Sequence, residues 1–535
     1  MTFRGELQGI AAASRGIFDK EPGGLDDAES AILAALIRSP NAVPEKVGER
    51  AAMLALTLNS AGDPDAIKKL ARDSLSRSYR VRRLVDLAPH LARELLQVRN
   101  ARVVSTLDAR IQRMSTEILE QALRALSSQN VRDGAALVVD NKTGDVLAYV
   151  GNSGSLSSAP FVDNIKARRQ AGSTLKPFLY GLAIERKIIT AASMIEDSPL
   201  DLSTERGVYR PENYDKEFHG LVPVRIALAS SMNIPAVKTL GLVGTGNFVQ
   251  ELREFGFGNL AEAEHYGPSL ALGSADITLW DLVNAYRTLA NAGAWSRLRV
   301  RPTERSGMRR QVLSRDAAFI VSSILSDREA RSSTFSMESP LGTRFWTAVK
   351  TGTSKDMRDN WCVGYSERYT VGVWVGNSSG SPMWNVSGVS GAAPAWLEIM
   401  NYLHRGSTSR PPVAPSGVVQ RSITYNDYGP TTTRQEWFIA GTEQDAVPTG
   451  KRVMRPKIVY PSADTVIAID PDMPADIQRV MFEVNSEDTA LQLVLDDAGI
   501  GPGPHVSWQL ASGHHQLALV DRNGTVIDRI QFEVR

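Results

Sequence analysis

The run Ala171-Gly-Ser-Thr-Leu-Lys-Pro-Phe-Leu-Tyr180 sets a serine and a lysine three residues apart at the head of a helix-compatible stretch. Gly172 places Ser173 at or near a helix N-terminus. Lys176 follows one turn later, so both side chains share a face. A serine hydroxyl is a weak nucleophile at its own pKa, but an adjacent amine whose charge is disfavoured by burial or by a neighbouring cation can take its proton. Backbone N–H groups at a helix start can then receive the oxyanion. Together these groups are equipped for acyl transfer through a serine ester. Among all the lysines, only Lys176 has a serine three residues before it.

S-x-x-K alone arises by chance in a chain of this length, so what accompanies it matters. Some 58 residues after Ser173 lies Ser231-Met-Asn233, and about 119 further on lies Lys350-Thr-Gly-Thr-Ser354. Both have decoys. Ser39-Pro-Asn41 and Ser128-Gln-Asn130 repeat the serine–asparagine spacing, and turn or cap roles account for them. Lys142-Thr-Gly144 is a second K-T-G, at a hairpin tip where Gly144 serves the turn and Lys142 faces solvent. Lys350-Thr-Gly352 instead ends the apolar run Phe345-Trp-Thr-Ala-Val349 and reads as a strand edge. Such an edge can pair with a peptide by β-addition, and Gly352 would permit its close approach.

The elements that must position these groups follow from patterning. From Leu25 to about Val98 apolar residues recur at three- and four-residue intervals, with Asp26 and Asp27 placed to start a helix. Another helix covers Gln112 to Leu126. Ala135-Ala-Leu-Val-Val-Asp140 and Asp145-Val-Leu-Ala-Tyr-Val150 flank Asn141–Gly144 as a β-hairpin. Helical patterns then dominate to Tyr402, but strands return at Trp346–Thr351, Trp361–Tyr365 and Tyr369–Val375. Strands early and late with helices between predict an α+β domain whose sheet is assembled from both ends of the segment. Arg410-Pro-Pro-Val-Ala-Pro-Ser-Gly417 marks a linker. Beyond Pro456 short alternating runs at Arg479–Val484, Leu491–Leu495, Gln516–Val520 and Arg529–Val534, with Asn523-Gly524 as a turn, predict a small all-β sandwich.

Composition bounds the function. The 535 residues hold 60 Lys+Arg against 59 Asp+Glu, with 42% hydrophobic residues. That describes a globular chain of about three domains with no broad electrostatic footprint for nucleic acid. The basic cluster Arg80-Val-Arg-Arg83 reads as a solvated helix face. Cys362 is the only cysteine, which excludes an internal disulfide, and the histidines show no zinc-hydrolase spacing. No apolar run of 18 residues and no basic-then-apolar leader occurs, so neither an anchor nor an export signal is expected in the chain as written.

In these motifs, taken in this order, the sequence resembles the transpeptidase domain of penicillin-binding proteins. Tyr209-Arg-Pro-Glu-Asn-Tyr-Asp215, Ala227-Leu-Ala-Ser-Ser-Met-Asn-Ile-Pro-Ala-Val237, Leu270-Ala-Leu-Gly273, Ala285-Tyr-Arg-Thr-Leu-Ala-Asn291 and Gly372-Val-Trp-Val-Gly376 resemble class A, bifunctional members. The opening stretch resembles the last helices of their glycosyltransferase domain, and the final one the C-terminal β domain of the 1C type. The resemblance implies a glycosyltransferase remnant at 1–45, a helical linker at 46–102, a serine transpeptidase (β-lactamase-like) domain at 103–405, a linker and extension at 406–454, and the β-sandwich at 455–535. With no E-D-x-x-F type segment, glycan polymerisation is not expected.

By the same resemblance Ser173 is the nucleophile, Lys176 the general base, Ser231 the proton relay to the leaving group and Asn233 the clamp on the substrate amide. Lys350 supplies positive charge, while Thr351, Gly352, Thr353 and Ser354 line the peptide site, with the Ser173 and Thr353 amides as oxyanion hole. The implied substrates are stem peptides ending in D-Ala-D-Ala, with β-lactams as acylating mimics, on the periplasmic side of a bacterial inner membrane. No metal or organic cofactor is implied, no nucleic acid, and no membrane span in this chain. Partner contact, to another cell-wall protein, is the default for the C-terminal domain.

Two alternatives share the same residues: a D,D-carboxypeptidase, endopeptidase or β-lactamase-type hydrolase, and a catalytically weak cell-wall scaffold. A class A β-lactamase needs a glutamate in an E-x-x-L-N pattern after the serine–asparagine motif, and none follows here. Cys362 reads as a core residue. His219 fits either a groove wall or a loop support, and Trp361 and Trp374 fit packing.

Overall fold

The computed structural model describes the chain except residues 6, 21, 59–62, 77–86, 99–100, 205–206, 306, 336–338, 426–431, 445, 448–455, 464, 470–473, 475–477, 485, 487 and 489. The Arg80–Arg83 cluster lies outside the described residues.

At the N-terminal end α1 (Asp27–Arg38) starts where the aspartates place it. Asp26 accepts from the Glu29 amide, and Glu29 reaches back to the Asp26 amide, closing a capping box. With α2 (Pro44–Thr57) and α3 (Pro64–Leu75) it encloses a cluster of its own running from Phe3 to Leu75. The division expected between 45 and 46 falls inside that cluster. After a short helix at Pro89–Leu95 comes α4 (Ala109–Ala125), capped by the Asp108 carboxylate.

The central sheet has five antiparallel strands: β1 (Asp133–Asp140), β2 (Val146–Val150), β3 (Ala348–Thr353), β4 (Asp359–Tyr365) and β5 (Tyr369–Gly376), in the order β3-β4-β5-β1-β2. Strands from both ends of the segment thus share one sheet, as the α+β reading expects. Both faces are covered, which is why β4 and β5 are buried along their whole length and read as apolar runs without strict alternation. One face packs α5 (Lys176–Glu185), α6 (Val224–Ala229), α7 (Asn233–Val243), α8 (Leu279–Ala290) and α9 (Arg315–Ser326); the other packs α4 and α10 (Ala392–Leu403). Lys176 to Ile184 is buried all round, so α5 is a central helix whose sequence shows no polar face.

Within 406–454 the chain does more than link. β6 (Val418–Tyr425) and β7 (Thr432–Ile439) form a hairpin that packs Ile423, Tyr425 and Phe438 onto Ala192 of the central domain. The proline-rich reading did not anticipate these strands. The C-terminal unit has a three-stranded sheet (Ile458–Tyr460, Arg479–Val484, His505–Gln509) and a five-stranded one (Thr465–Ile467, Val526–Val534, Gly513–Val520, Gln492–Leu495, Ala498–Pro502). Phe482, Leu493, Leu517, Leu519 and Phe532 fill the core between them. No described helix is long and apolar enough to cross a membrane.

Candidate active site

Ser173 sits on a 3-10 turn, Gly172–Leu175, that runs into α5. Gly172 is in the left-handed region at φ +55, and its amide donates to the Gly273 carbonyl at 3.0 Å. A Cβ on Gly273 would lie 1.8 Å from the Gly172 oxygen, so only glycine there admits the turn. The Tyr286 hydroxyl holds the other side of the turn through the Thr174 carbonyl at 2.8 Å.

Lys176, fully buried, donates to the Ser231 carbonyl at 2.7 Å, the Met232 carbonyl at 3.0 Å and Asn233 Oδ1 at 2.7 Å. Burial first, and then the charge of Lys350, hold its pKa well below the ordinary lysine value. The three acceptors match the three N–H groups of the charged amine, so a neutral Lys176, with two N–H groups and a lone pair, must give up one of these bonds to present its basic site. Lys350 Nζ donates to Ser231 Oγ at 2.7 Å and to the Thr351 carbonyl at 2.9 Å. Burial pushes its pKa down to about 7.

Ser231 is bracketed by both lysines. Its backbone is left-handed at φ +63, uncommon for a side chain and worth about 1–2 kcal/mol of strain. Asn233 opens α7; its Nδ2 donates to the Glu212 carbonyl at 2.7 Å while Oδ1 faces Lys176. β3 forms the opposite wall. It is an edge strand, paired only with β4, so one backbone edge is unpaired in the sheet. Ser173, Ser231, Asn233, Thr351, Gly352, Thr353 and Ser354 all line one cleft of about 820 Å³, with Lys176 and Lys350 beneath it.

The strand-end residues divide their work. Thr353 Oγ1 accepts from the Gly388 amide at 3.0 Å, which leaves its proton to donate. The Ser354 hydroxyl is engaged with Asp359 at 3.0 Å and accepts that residue's amide at 2.9 Å, so it anchors the strand end. A Cβ on Gly352 would meet the Ala171 carbonyl and Thr174 Cγ2 at 2.8 Å each. The close approach that Gly352 permits is therefore to the turn that carries Ser173.

Several supporting residues carry no motif of their own. Asn213 Oδ1 accepts from the Asn233 amide at 2.9 Å, and its Nδ2 donates to both oxygens of buried Asp197 at 2.8 Å. Asp197 also accepts from the His219 amide and faces its Nδ1, each at 3.0 Å, which makes His219 a loop support. The only signal for Asn213 was the Tyr209–Asp215 phrase. Asp359, its pKa raised by burial, takes Trp374 Nε1 at 3.1 Å, and Arg169 lies over the Trp374 ring. Trp361 and Cys362 are buried in the core, where burial raises the thiol pKa.

The family "Penicillin binding protein transpeptidase domain" matches residues 134–399, and penicillin-binding protein 1C of Escherichia coli is 32% identical over 79% of this chain. The chain belongs to the penicillin-binding proteins. The family "Transglycosylase" matches residues 1–59, and "Penicillin-Binding Protein C-terminus Family" matches 449–532. Penicillin-binding protein 2D of Bacillus subtilis is 29% identical over 81% of this chain. The chain spans 54% of the Escherichia coli protein, 68% of the Bacillus one and 39% of penicillin-binding protein 1A of Neisseria meningitidis. Two solved structures share the fold. Penicillin-binding protein 1A from Haemophilus influenzae aligns at TM-score 0.60 and 18% identity over 81% of this chain and 89% of that one. The PonA1 protein from Mycobacterium tuberculosis, in complex with penicillin V, aligns at 0.51 and 22% over 61% and 94%.

Proposed function

We propose that this penicillin-binding protein is a peptidoglycan D,D-transpeptidase working through a Ser173 acyl-enzyme. The observation that carries the reading is the convergence of Lys176, Ser231, Asn233 and Lys350 in one hydrogen-bonded group beside Ser173, against the free edge of β3. A stem peptide pairs with that edge, its terminal carboxylate toward Lys350 and the Thr351 and Thr353 hydroxyls. Ser173 Oγ attacks the penultimate D-alanine carbonyl as its proton passes to the Lys176 lone pair. The amides of Ser173 and Thr353 take the oxyanion. Ser231 then gives its hydroxyl proton to the departing nitrogen and takes one in turn from Lys350, which donates to its Oγ; the C–N bond breaks, and D-alanine leaves. An amine of a neighbouring stem attacks the ester, restoring the serine and forming the cross-link.

β-Lactams present the same carboxylate and carbonyl, and a relative's complex with penicillin V supports that use of the site. With no E-x-x-L-N glutamate the penicilloyl ester is slow to hydrolyse. The substrate places the domain on the periplasmic face of the inner membrane, and the C-terminal sandwich serves contact with another cell-wall protein.

The test is labelling with a fluorescent penicillin, wild type beside Ser173→Ala, with mass spectrometry over hours. A lasting adduct in the wild type alone is the expected result, followed by peptide transfer to an added amine. Rapid loss of the adduct would move the reading to a hydrolase. No adduct at all would overturn the enzymatic reading.

A further inference from the structure

Helix α6 ends two residues before Ser231, and its second residue, Arg225, is 3% exposed. The Arg225 guanidinium points away from the cleft into a cluster of four charges contributed by three distant parts of the chain. Its Nε donates to Glu436 Oε2 at 2.6 Å, its Nη2 donates to Glu436 Oε1, and its Nη1 donates to Asp327 Oδ2 at 3.2 Å. Arg434 donates to the same Asp327 oxygen, and Arg225 Nη2 also reaches Ser323 Oγ at 3.3 Å. Glu436 has no solvent exposure, and it lies on β7, beyond the proline-rich segment. Burial opposes the Arg225 charge, but Glu436 and Asp327 outweigh it and raise the pKa.

The cluster connects directly to the S-x-N loop. Asp327 Oδ1 accepts from the Ala330 amide at 2.9 Å, and the Ala330 carbonyl accepts from Ser230 Oγ at 2.9 Å. Ser231 and Met232 amides bond back to Leu228 and Ala227 of α6. So Glu436 is joined twice to the segment that leads into Ser231: through Arg225 to helix α6, and through Arg225, Asp327 and Ala330 to Ser230.

A buried ion pair contributes little net stability over apolar packing of the same shape, whereas its geometry is specific. The bidentate Arg225–Glu436 fork adds a directional constraint on the rotation of a helix of only six residues, whose other buried side chains, Val224, Ala227, Leu228 and Ala229, are apolar. We infer that the β6–β7 hairpin is a working part of the active site, with Glu436 and Arg225 as positioning residues that set Ser231 between Lys176 and Lys350. The inference rests on the acyl-enzyme reading for its kinetic consequence but not for its structural one.

The test compares Glu436→Gln, which keeps the shape and removes the charge, with Ile423→Val, which trims the same hairpin's core away from Arg225. Two quantities are read on the full chain: hydrogen exchange of the 226–233 amides, and the acylation constant and binding constant for a fluorescent penicillin. Glu436→Gln is expected to speed exchange across 226–233 and to slow acylation about tenfold or more, since a shift of about 1 Å in a catalytic group is enough, with penicillin binding changed less than about twofold. Ile423→Val, matched for melting temperature, should leave both unchanged. Unaltered 226–233 exchange in Glu436→Gln overturns the inference. So does equal slowing in both variants, which would make the hairpin a stability element only. If the wild type fails to acylate while exchange responds as expected, the enzymatic reading fails and the positioning inference stands.

Discussion

Lys350 is the residue whose removal should make the protein more stable and inert. Burial takes its pKa from 10.5 to about 7. Unfolded, the side chain keeps its proton until about pH 10.4. Between those limits the unfolded chain binds more protons, so stability rises with pH across the window. Below the folded pKa the penalty is complete. At ~1.4 kcal/mol per pH unit the penalty amounts to about 5 kcal/mol at pH 6. Lys350→Met removes it, but strands the acceptor roles of Ser231 Oγ and the Thr351 carbonyl, which costs back about 2–3 kcal/mol. The net gain is about 2 kcal/mol, or roughly 3 °C in melting temperature for a domain of this size. Because the wild type recovers ~1.4 kcal/mol per pH unit above pH 7, the two curves should cross near pH 8.5. Relief of Lys176, whose pKa Lys350 also depresses, adds in the same direction. The assay is calorimetry of the catalytic-domain transition at pH 6, 7, 8 and 9; other titrating groups cancel in the difference. A variant that melts below wild type at pH 6, or an offset that does not change with pH, refutes the reasoning.

Asn213→Ala removes the acceptor on the Asn233 amide and leaves buried Asp197 without two hydrogen bonds. It should lose about 2–3 kcal/mol in urea unfolding and slow penicillin acylation about tenfold. Gly273→Ala sets a methyl group 1.8 Å from the Gly172 oxygen at φ +76, with no side chain able to give way. Acylation should fall about 100-fold in the folded protein, measured by mass spectrometry. Asp26→Ala breaks the capping box of α1 and should cost the N-terminal cluster about 1 kcal/mol in local hydrogen exchange. Its penicillin reactivity should match wild type, because that cluster is separate from the catalytic cores.

Local signals were legible in the sequence. The β1–β2 hairpin appears where alternation and Asn141–Gly144 place it, and Gly144 takes φ +75 with Lys142 exposed, which separates that K-T-G from Lys350-Thr-Gly352. The late strands were readable because they are short apolar runs bounded by turn residues, and the two-ended sheet followed from their order. What was not legible depends on pairs far apart in sequence. Nothing near Gly273 states that the Gly172 carbonyl will occupy its Cβ position. Asn213 resembles any loop asparagine until Asp197 and Asn233 meet it. Thr432–Ile439 begins Thr-Thr-Arg-Gln-Glu and passed as linker, because Arg434 and Glu436 look solvated when their partners, Asp327 and Arg225, lie 107 and 211 residues away.

These unread contacts share one purpose. The site concentrates features that oppose folding: two lysines held low by burial, a serine at φ +63, and the unpaired edge of β3. The backbone of Lys350 is held by the pairing of β3 with β4. Neighbours with no chemistry of their own brace the rest of the site: Gly273 and Tyr286 on the Ser173 turn, Asn213 on Asn233, Asp359 on Ser354, and Arg225 with Glu436 behind Ser231. The strained groups stay in place because rigid elements surround them on every side. It follows that changing a supporting residue should lower stability and reactivity together, whereas Lys350→Met should raise one and abolish the other. Opposite signs from the two kinds of substitution distinguish a group that performs the chemistry from one that positions it.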